Sequence, residues 1–118
     1  MATFISNAFS LSMLGALPPE GRTIRVRPIT LEEAKSLLQE GNYVSAVGHP
    51  STAAVMSTLL GVEVPPNRVS ITLNPGDRVI VFQLTTRLAE GQILSQEEVE
   101  SLYQQGLASF VVVEVMDQ

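Results

Sequence analysis

Residues 45–54 read SAVGHPSTAA, and this stretch decides how the fold is interpreted. The apolar residues that lead into it are typical of a short strand, while Pro50 suits the first position of a helix. Between them stands His49, the only histidine in the chain. Ligands of α/β proteins bind where strands end and helices begin. His49 is therefore either an inert, hydrogen-bonded corner residue or a residue that carries chemistry.

The sequence on either side of this stretch alternates between predicted strands and predicted helices. Strands are predicted at residues 3–6, 23–29, 43–47, 68–73, 78–84 and 109–115. A helical turn is predicted at residues 9–14, and helices at residues 31–40, 50–60 and 96–105. Capping boxes at Thr30–Glu33 and Ser95–Glu98 begin two of the helices, and Asn74–Asp77 predicts a type II turn between two strands. We predict a single α/β domain over residues 1–118, with a mixed β-sheet flanked by helices.

The composition argues against several classes of function. The chain has 118 residues, a net charge of −5 and no cysteine. A long nucleic acid needs a basic face on its partner, so we expect no such partner. A chain with one histidine and no cysteine lacks the usual ligands of zinc, and we expect no metal and no other cofactor. No apolar run approaches the roughly 20 residues of a membrane span, so we expect a soluble, cytoplasmic protein with no membrane partner.

The residues after His49 favour a phosphate site. Pro50, Ser51 and Thr52 begin the predicted helix, where backbone N–H groups lack partners within the helix and the helix dipole attracts anions. The side chains here are small, so a phosphate can approach closely. A histidine at this place can give a proton to the leaving oxygen of a phosphate ester.

The basic residues favour recognition of an anion. Six of the seven are arginine, whose planar fork suits a phosphate. Arg68 begins a predicted strand. Arg87 lies in a predicted loop three residues before Glu90, and two interpretations stay open. The pair is either a surface ion pair that contributes little, or an arginine for a phosphate with a carboxylate that orients the arginine or a ribose hydroxyl.

Asn7 and Ser10 follow the first predicted strand. Their residue types suit ordinary turns and caps. They lie beside His49 only if the first and third strands are neighbours in the sheet, which the sequence pattern does not reveal.

Four stretches of the chain together resemble a known family. They are NAFSLSML (7–14), SAVGHPSTAAVMSTLLG (45–61), NRVSITLNPGDRVIVFQL (67–84) and RLAEGQILSQEEVESLY (87–103). In this order and at these distances they resemble the viral type III anti-CRISPR ring nucleases and their cellular relatives. The resemblance spans nearly the whole chain, from about Phe4 to Val115.

The resemblance implies a specific activity. Members of that family form homodimers and cleave cyclic tetra-adenylate, a second messenger of type III CRISPR defence, to linear di-adenylates without a metal. For a viral protein the compartment is the host cytoplasm. His49, Arg87 and Glu90 match the family's catalytic positions. Positions that bind or support the ligand are matched by Asn7, Ser10, Arg68 and Gln83. The alternatives are a sponge or sensor that binds a cyclic oligonucleotide without cutting it, and a purely structural domain.

Overall fold

The computed structural model describes residues 2–85 and 94–116, which form five strands and three α-helices. The strands are β1 (Thr3–Ser6), β2 (Ile24–Ile29), β3 (Tyr43–Ser45), β4 (Arg78–Leu84) and β5 (Ala108–Val115). The helices are α1 (Leu31–Gln39), α2 (Pro50–Leu60) and α3 (Gln96–Gln104), and a 3₁₀ turn covers Leu11–Leu14. The predicted α/β class is confirmed, and the predicted elements are present with one exception, the strand at residues 68–73.

The five strands form one mixed sheet in the order β2-β5-β4-β1-β3. β1 runs parallel to both of its neighbours, and its Ile5 pairs with Ser45 of β3 and with Ile80 of β4. β5 runs antiparallel to β4 and β2. Its interior position agrees with its nearly continuous apolar sequence. Because β1 lies between β3 and β4, the chain crosses over β1 through α2 on its way from β3 to β4.

Local signals in the sequence account for the starts of α1 and α3. The Thr30 side chain accepts the backbone N–H of Glu33, and the Glu33 carboxylate accepts the backbone N–H of Thr30. Ser95 and Glu98 form the same reciprocal pair at α3. Each pair satisfies two backbone donors that have no partner inside the helix. No helix within the described ranges is long and apolar enough to span a membrane.

All three helices pack on one face of the sheet. This core combines inward-facing residues of the strands with apolar residues of the helices: Ile5, Ile80, Phe82, Phe110 and Val112 with Ala34, Leu38, Met56, Leu59 and Val99. The rings of Phe82 and Phe110 lie 5.2 Å apart in a tilted arrangement that aromatic pairs prefer. The packing of α2 on this face fixes the position of its first residue, and His49 directly precedes it.

The other face of the sheet is covered by irregular chain, and the predicted strand at residues 68–73 is wrong. Ile71 and Leu73 of this segment pack on that face against Val79 and Val81 of β4, and the Leu73 N–H donates to Met13 at 2.6 Å. The segment cannot pair with β4, because β1 and β5 are already hydrogen-bonded to the two sides of β4. It is irregular chain packed on the face of the sheet, and the exposed Thr72 between buried Ile71 and Leu73 reproduces the burial pattern of a strand.

The turn predicted at Asn74–Asp77 is present, and it leads the chain from that face into β4. Its Asp77 N–H donates to Asn74 O at 2.9 Å, and Gly76 has a φ of +91°, which a type II turn requires at this position. The Asp77 carboxylate is buried and accepts the backbone N–H groups of Asn74 at 2.9 Å and Ala2 at 2.8 Å. One side chain thus ties the turn to the residue that precedes β1.

Candidate functional site

The carboxyl ends of the three parallel strands meet at one edge of the sheet. β3 ends at Ser45 and β1 at Ser6, while β4 continues past the register of both to Leu84. Open α/β sheets bind ligands at this kind of edge. β1 and β3 are neighbours in the sheet. Asn7, which follows β1, therefore lies beside the loop that carries His49, which follows β3.

His49 caps α2 with its own side chain. Its backbone is extended, with φ −127° and ψ 114°, and its Nδ1 accepts the backbone N–H of Thr52 at 3.4 Å. The Thr52 hydroxyl lies 3.3 Å from the same nitrogen. Pro50 at the first helical position places His49 at the cap, although histidine is not a favoured capping residue. The imidazole is exposed, with Nδ1 engaged by Thr52.

The first turn of α2 offers fewer free donors than the sequence predicts. Pro50 has no N–H, and the Thr52 N–H is taken by His49. The Ala53 N–H donates to the His49 carbonyl. Among residues 50–52, this leaves the Ser51 N–H without an acceptor in the described part of the chain. The first turn carries no acidic residue, so its dipole is not offset locally.

Arg68 is brought to this loop by a short segment that runs along the outer side of β3. Asn67 donates from its backbone to Val47 O at 2.7 Å and from its side chain to Ser45 O at 2.8 Å. Ser45 Oγ in turn donates to Pro65 O at 2.6 Å. Arg68 is exposed, its side chain packs beside Gly48, and no carboxylate within residues 2–85 and 94–116 pairs with it.

Asn7 and Ser10 occupy different environments. Asn7 is half-buried and directly follows Ser6, whose hydroxyl donates to Ala46 O at 3.3 Å in the loop before His49. Ser10 caps the 3₁₀ turn by accepting the Ser12 N–H at 3.3 Å. The chain geometry thus places Asn7 at the edge where His49 lies and gives Ser10 a local capping role.

Gln83 stands apart from this group, and two further predicted residues fall outside the described ranges. Gln83 is exposed near the end of β4, on the face opposite the helices, where Ser109 Oγ lies 3.5 Å from its Oε1. No hydrogen bond or ion pair within the described residues joins Gln83 to His49. Arg87 and Glu90 lie outside the described residues.

The sequence did not reveal two residues that build the site. Asn67 and Ser45 fix the segment of Arg68 to the end of β3 through three hydrogen bonds. The signal was weak, since an asparagine between Pro66 and Arg68 suits any turn. As for a metal, the described residues contain no group of three side chains of the kind that hold one.

The fold and this edge define a class of small α/β domains. In this class a histidine caps the helix that follows a parallel strand, and an arginine packs beside the glycine that precedes the histidine. The chain belongs to the STIV B116-like family, whose sequence profile matches residues 3–108. The predicted resemblance to a viral family with cellular relatives is confirmed at this level.

Relatives and a solved structure agree with this membership. The chain is 40% identical over 86 residues to uncharacterized protein 26 of Sulfolobus islandicus filamentous virus, covering 72% of this chain and 73% of that protein. It is 35% identical over 78 residues to YddF of Bacillus subtilis, covering 64% and 72%. The structure of B116 of Sulfolobus turreted icosahedral virus matches with a TM-score of 0.83 and 34% identity, over 97% of this chain and 99% of that one.

Proposed function

We propose that this protein is a homodimeric ring nuclease that binds cyclic tetra-adenylate and cleaves it to linear di-adenylates, and thereby switches off type III CRISPR signalling. The observation that supports it most is His49 itself. The imidazole is exposed at a helix N-terminus and contacts Thr52 through Nδ1, and no side chain or backbone group of the described residues hydrogen-bonds to Nε2. The ordered resemblance of the four sequence stretches supplies the identity of the substrate.

The protein does not have to supply a nucleophile for this reaction, because RNA carries its own in the 2′-hydroxyl. The 2′-oxygen of a ribose attacks the adjacent phosphorus, the bond between phosphorus and the 5′-oxygen breaks, and the 2′-hydroxyl proton passes to solvent. The leaving 5′-oxygen takes a proton from Nε2 of the protonated His49 ring. Each cut leaves a 2′,3′-cyclic phosphate and a 5′-hydroxyl. Two cuts convert one ring into two di-adenylates.

Phosphate charge is offset by groups at the same edge. The Ser51 N–H and the dipole of α2 favour an anion at the helix start, and Arg68 adds a cation that no described carboxylate neutralises. The resemblance to the ring nucleases implies that Arg87 adds a second cation and that Glu90 orients Arg87. No metal takes part in this scheme. These groups explain how a protein with a net charge of −5 binds a ligand with four phosphates.

A homodimer suits the symmetry of the substrate. Cyclic tetra-adenylate has four equivalent phosphates, and a two-fold axis presents two copies of one site to it. Two opposed His49 side chains then account for two cuts per ring. Sedimentation of the free protein should give the mass of a dimer.

The decisive experiment is incubation with cyclic tetra-adenylate in excess EDTA, followed by separation of the products. Di-adenylates with 2′,3′-cyclic phosphate ends are expected from the wild-type protein. His49→Ala should still bind the ring but should lose turnover by a factor of about 10² or more, as expected when a positioned acid is removed. Binding without any product from wild type would instead identify a sponge or sensor, because the same arginines and helix end bind phosphate without cutting.

A further inference from the structure

Thr52 presents two different groups to one nitrogen of His49. Its backbone N–H lies 3.4 Å from Nδ1, and its hydroxyl oxygen lies 3.3 Å from the same atom. The N–H can only donate, whereas the hydroxyl can donate or accept. The contact is held by the start of α2, where His49 is the cap and Thr52 the third helical residue.

These two groups determine which ring nitrogen carries the proton. In neutral histidine one nitrogen is N–H and the other is a bare acceptor. Because a fixed N–H points at Nδ1, the favourable neutral form has a bare Nδ1 and a protonated Nε2. When the imidazole is protonated on both nitrogens, its Nδ1–H can donate a hydrogen bond to the Thr52 hydroxyl oxygen, because that oxygen can also accept.

We propose that Thr52 is a positioning residue for His49: its backbone N–H keeps the proton of the neutral resting ring on Nε2, and its hydroxyl accepts the Nδ1 proton of the doubly protonated ring. An Nε2–H can donate to a ligand oxygen and cannot take a proton from a hydroxyl. For catalysis this inference rests on the proposed ring cleavage. There a neutral His49 with a protonated Nε2 cannot be the base that activates the 2′-hydroxyl. When the doubly protonated ring gives its Nε2 proton to the leaving 5′-oxygen, the proton that remains on Nδ1 donates to the Thr52 hydroxyl.

The first test reads the ring without any substrate. The two-bond ¹H–¹⁵N spectrum of the labelled protein contains one histidine ring, because the chain has one histidine. At a pH at which the ring is neutral, wild type should show a bare Nδ1 and a protonated Nε2. A protonated Nδ1 in the neutral wild-type ring would overturn the proposal, whether or not the protein cleaves any ligand.

Variants of Thr52 test the hydroxyl. Thr52→Val keeps the shape and the backbone N–H but removes the oxygen, so the Nδ1 resonance should shift and kcat should fall about 3- to 10-fold with an unchanged KM, as for the loss of one hydrogen bond. Thr52→Ser should restore both. Thr58→Val is the matched control, because the Thr58 hydroxyl on the same helix donates only to Ala54 O at 3.1 Å.

The outcomes separate this inference from the proposed function. An unchanged Nδ1 resonance in Thr52→Val, with α2 intact by circular dichroism, would show that the hydroxyl does not act on the ring. If wild type shows the expected ring spectrum yet leaves cyclic tetra-adenylate uncut in EDTA, the nuclease proposal fails and the positioning role of Thr52 stands.

Discussion

The side chain of Arg68 lies against Gly48, the residue directly before His49: a Cβ atom added to Gly48 would lie 3.6 Å from both Cγ and Nε of Arg68. This is an ordinary van der Waals distance, so the arginine packs on the loop without crowding it. The contact brings a cation from one connection of the fold to the histidine at the end of another. The guanidinium placed there has no carboxylate partner among the described residues.

Replacement of Arg68 should therefore weaken binding of the ring. Arg68→Ala removes a charged donor that no described carboxylate engages, and we expect the dissociation constant to rise about 10- to 100-fold. The dissociation constant of Arg68→Lys should lie between those of wild type and Arg68→Ala, because lysine keeps the charge and loses the planar fork. Titration with fluorescently labelled cyclic tetra-adenylate measures the dissociation constants of both variants. Arg25→Ala, on the far edge strand β2, is the control, and an equal loss there would mean that only the total charge matters.

Asn67 should affect the same site indirectly. Asn67→Ala removes the 2.8 Å hydrogen bond to Ser45 O that fixes the segment of Arg68 to β3. We expect a loss of about 1 kcal/mol in the free energy of unfolding in urea, together with a weakening of ring binding smaller than that of Arg68→Ala. Asn42→Ala provides an exposed asparagine for comparison. Full-strength binding by a destabilised Asn67 variant would contradict the link between the two residues.

Asp77 should matter for stability and not for the site. Its buried carboxylate accepts two backbone N–H groups, and in Asp77→Asn one of those donors faces an amide nitrogen. We expect the free energy of unfolding to fall by about 1–3 kcal/mol. Ring affinity of the folded variant should not change, because Asp77 precedes β4 at the sheet edge opposite His49. Urea titration gives the first quantity and ligand titration the second.

Glu33 should make stability depend on acid pH. The backbone N–H of Thr30 and then the nearby Arg27 hold the pKa of this carboxyl below its ordinary value of 4.5. A pKa lowered by folding means that the unfolded chain binds the proton more tightly, so the stabilisation is present above the ordinary value and is lost as pH falls. The urea midpoint of wild type should drop more between about pH 6 and pH 3 than that of Glu33→Gln. Glu32→Gln, which leaves the capping box intact, should behave like wild type.

The elements of the fold were predictable where the signal is local. The capping boxes at Thr30 and Ser95 and the Pro-Gly turn before Asp77 describe neighbouring residues, and each is present as predicted. The segment 68–73 shows the limit of such signals. Buried Ile71 and Leu73 with exposed Thr72 between them arise equally from a strand and from irregular chain packed on the face of a sheet. Which of the two forms depends on whether β4 has a free edge, and that is settled by residues far away in the sequence.

The site was predictable in the same partial way. The glycine, histidine and proline at 48–50 identified a strand end followed by a helix, and the resemblance added Arg68. The pairing of β1 with β3, which brings Asn7 to this edge, is a long-range event that no local pattern encodes. The engagement of the Thr52 N–H by His49 was missed because it depends on a rotamer of the histidine. Dihedral choices of this kind leave no trace in residue spacing.

The position of β1 in the middle of the sheet also bears on how the protein folds. Thr3 pairs with Arg78, a separation of 75 residues, and β3 and β4 belong to one sheet only through β1. During synthesis the first strand emerges early and must wait until β4 has left the ribosome. Closing so long a loop before its contacts form slows folding. A chain arrested before residue 78 therefore lacks the strand that pairs with β1 on the side away from β3, and the edge that carries His49 is incomplete.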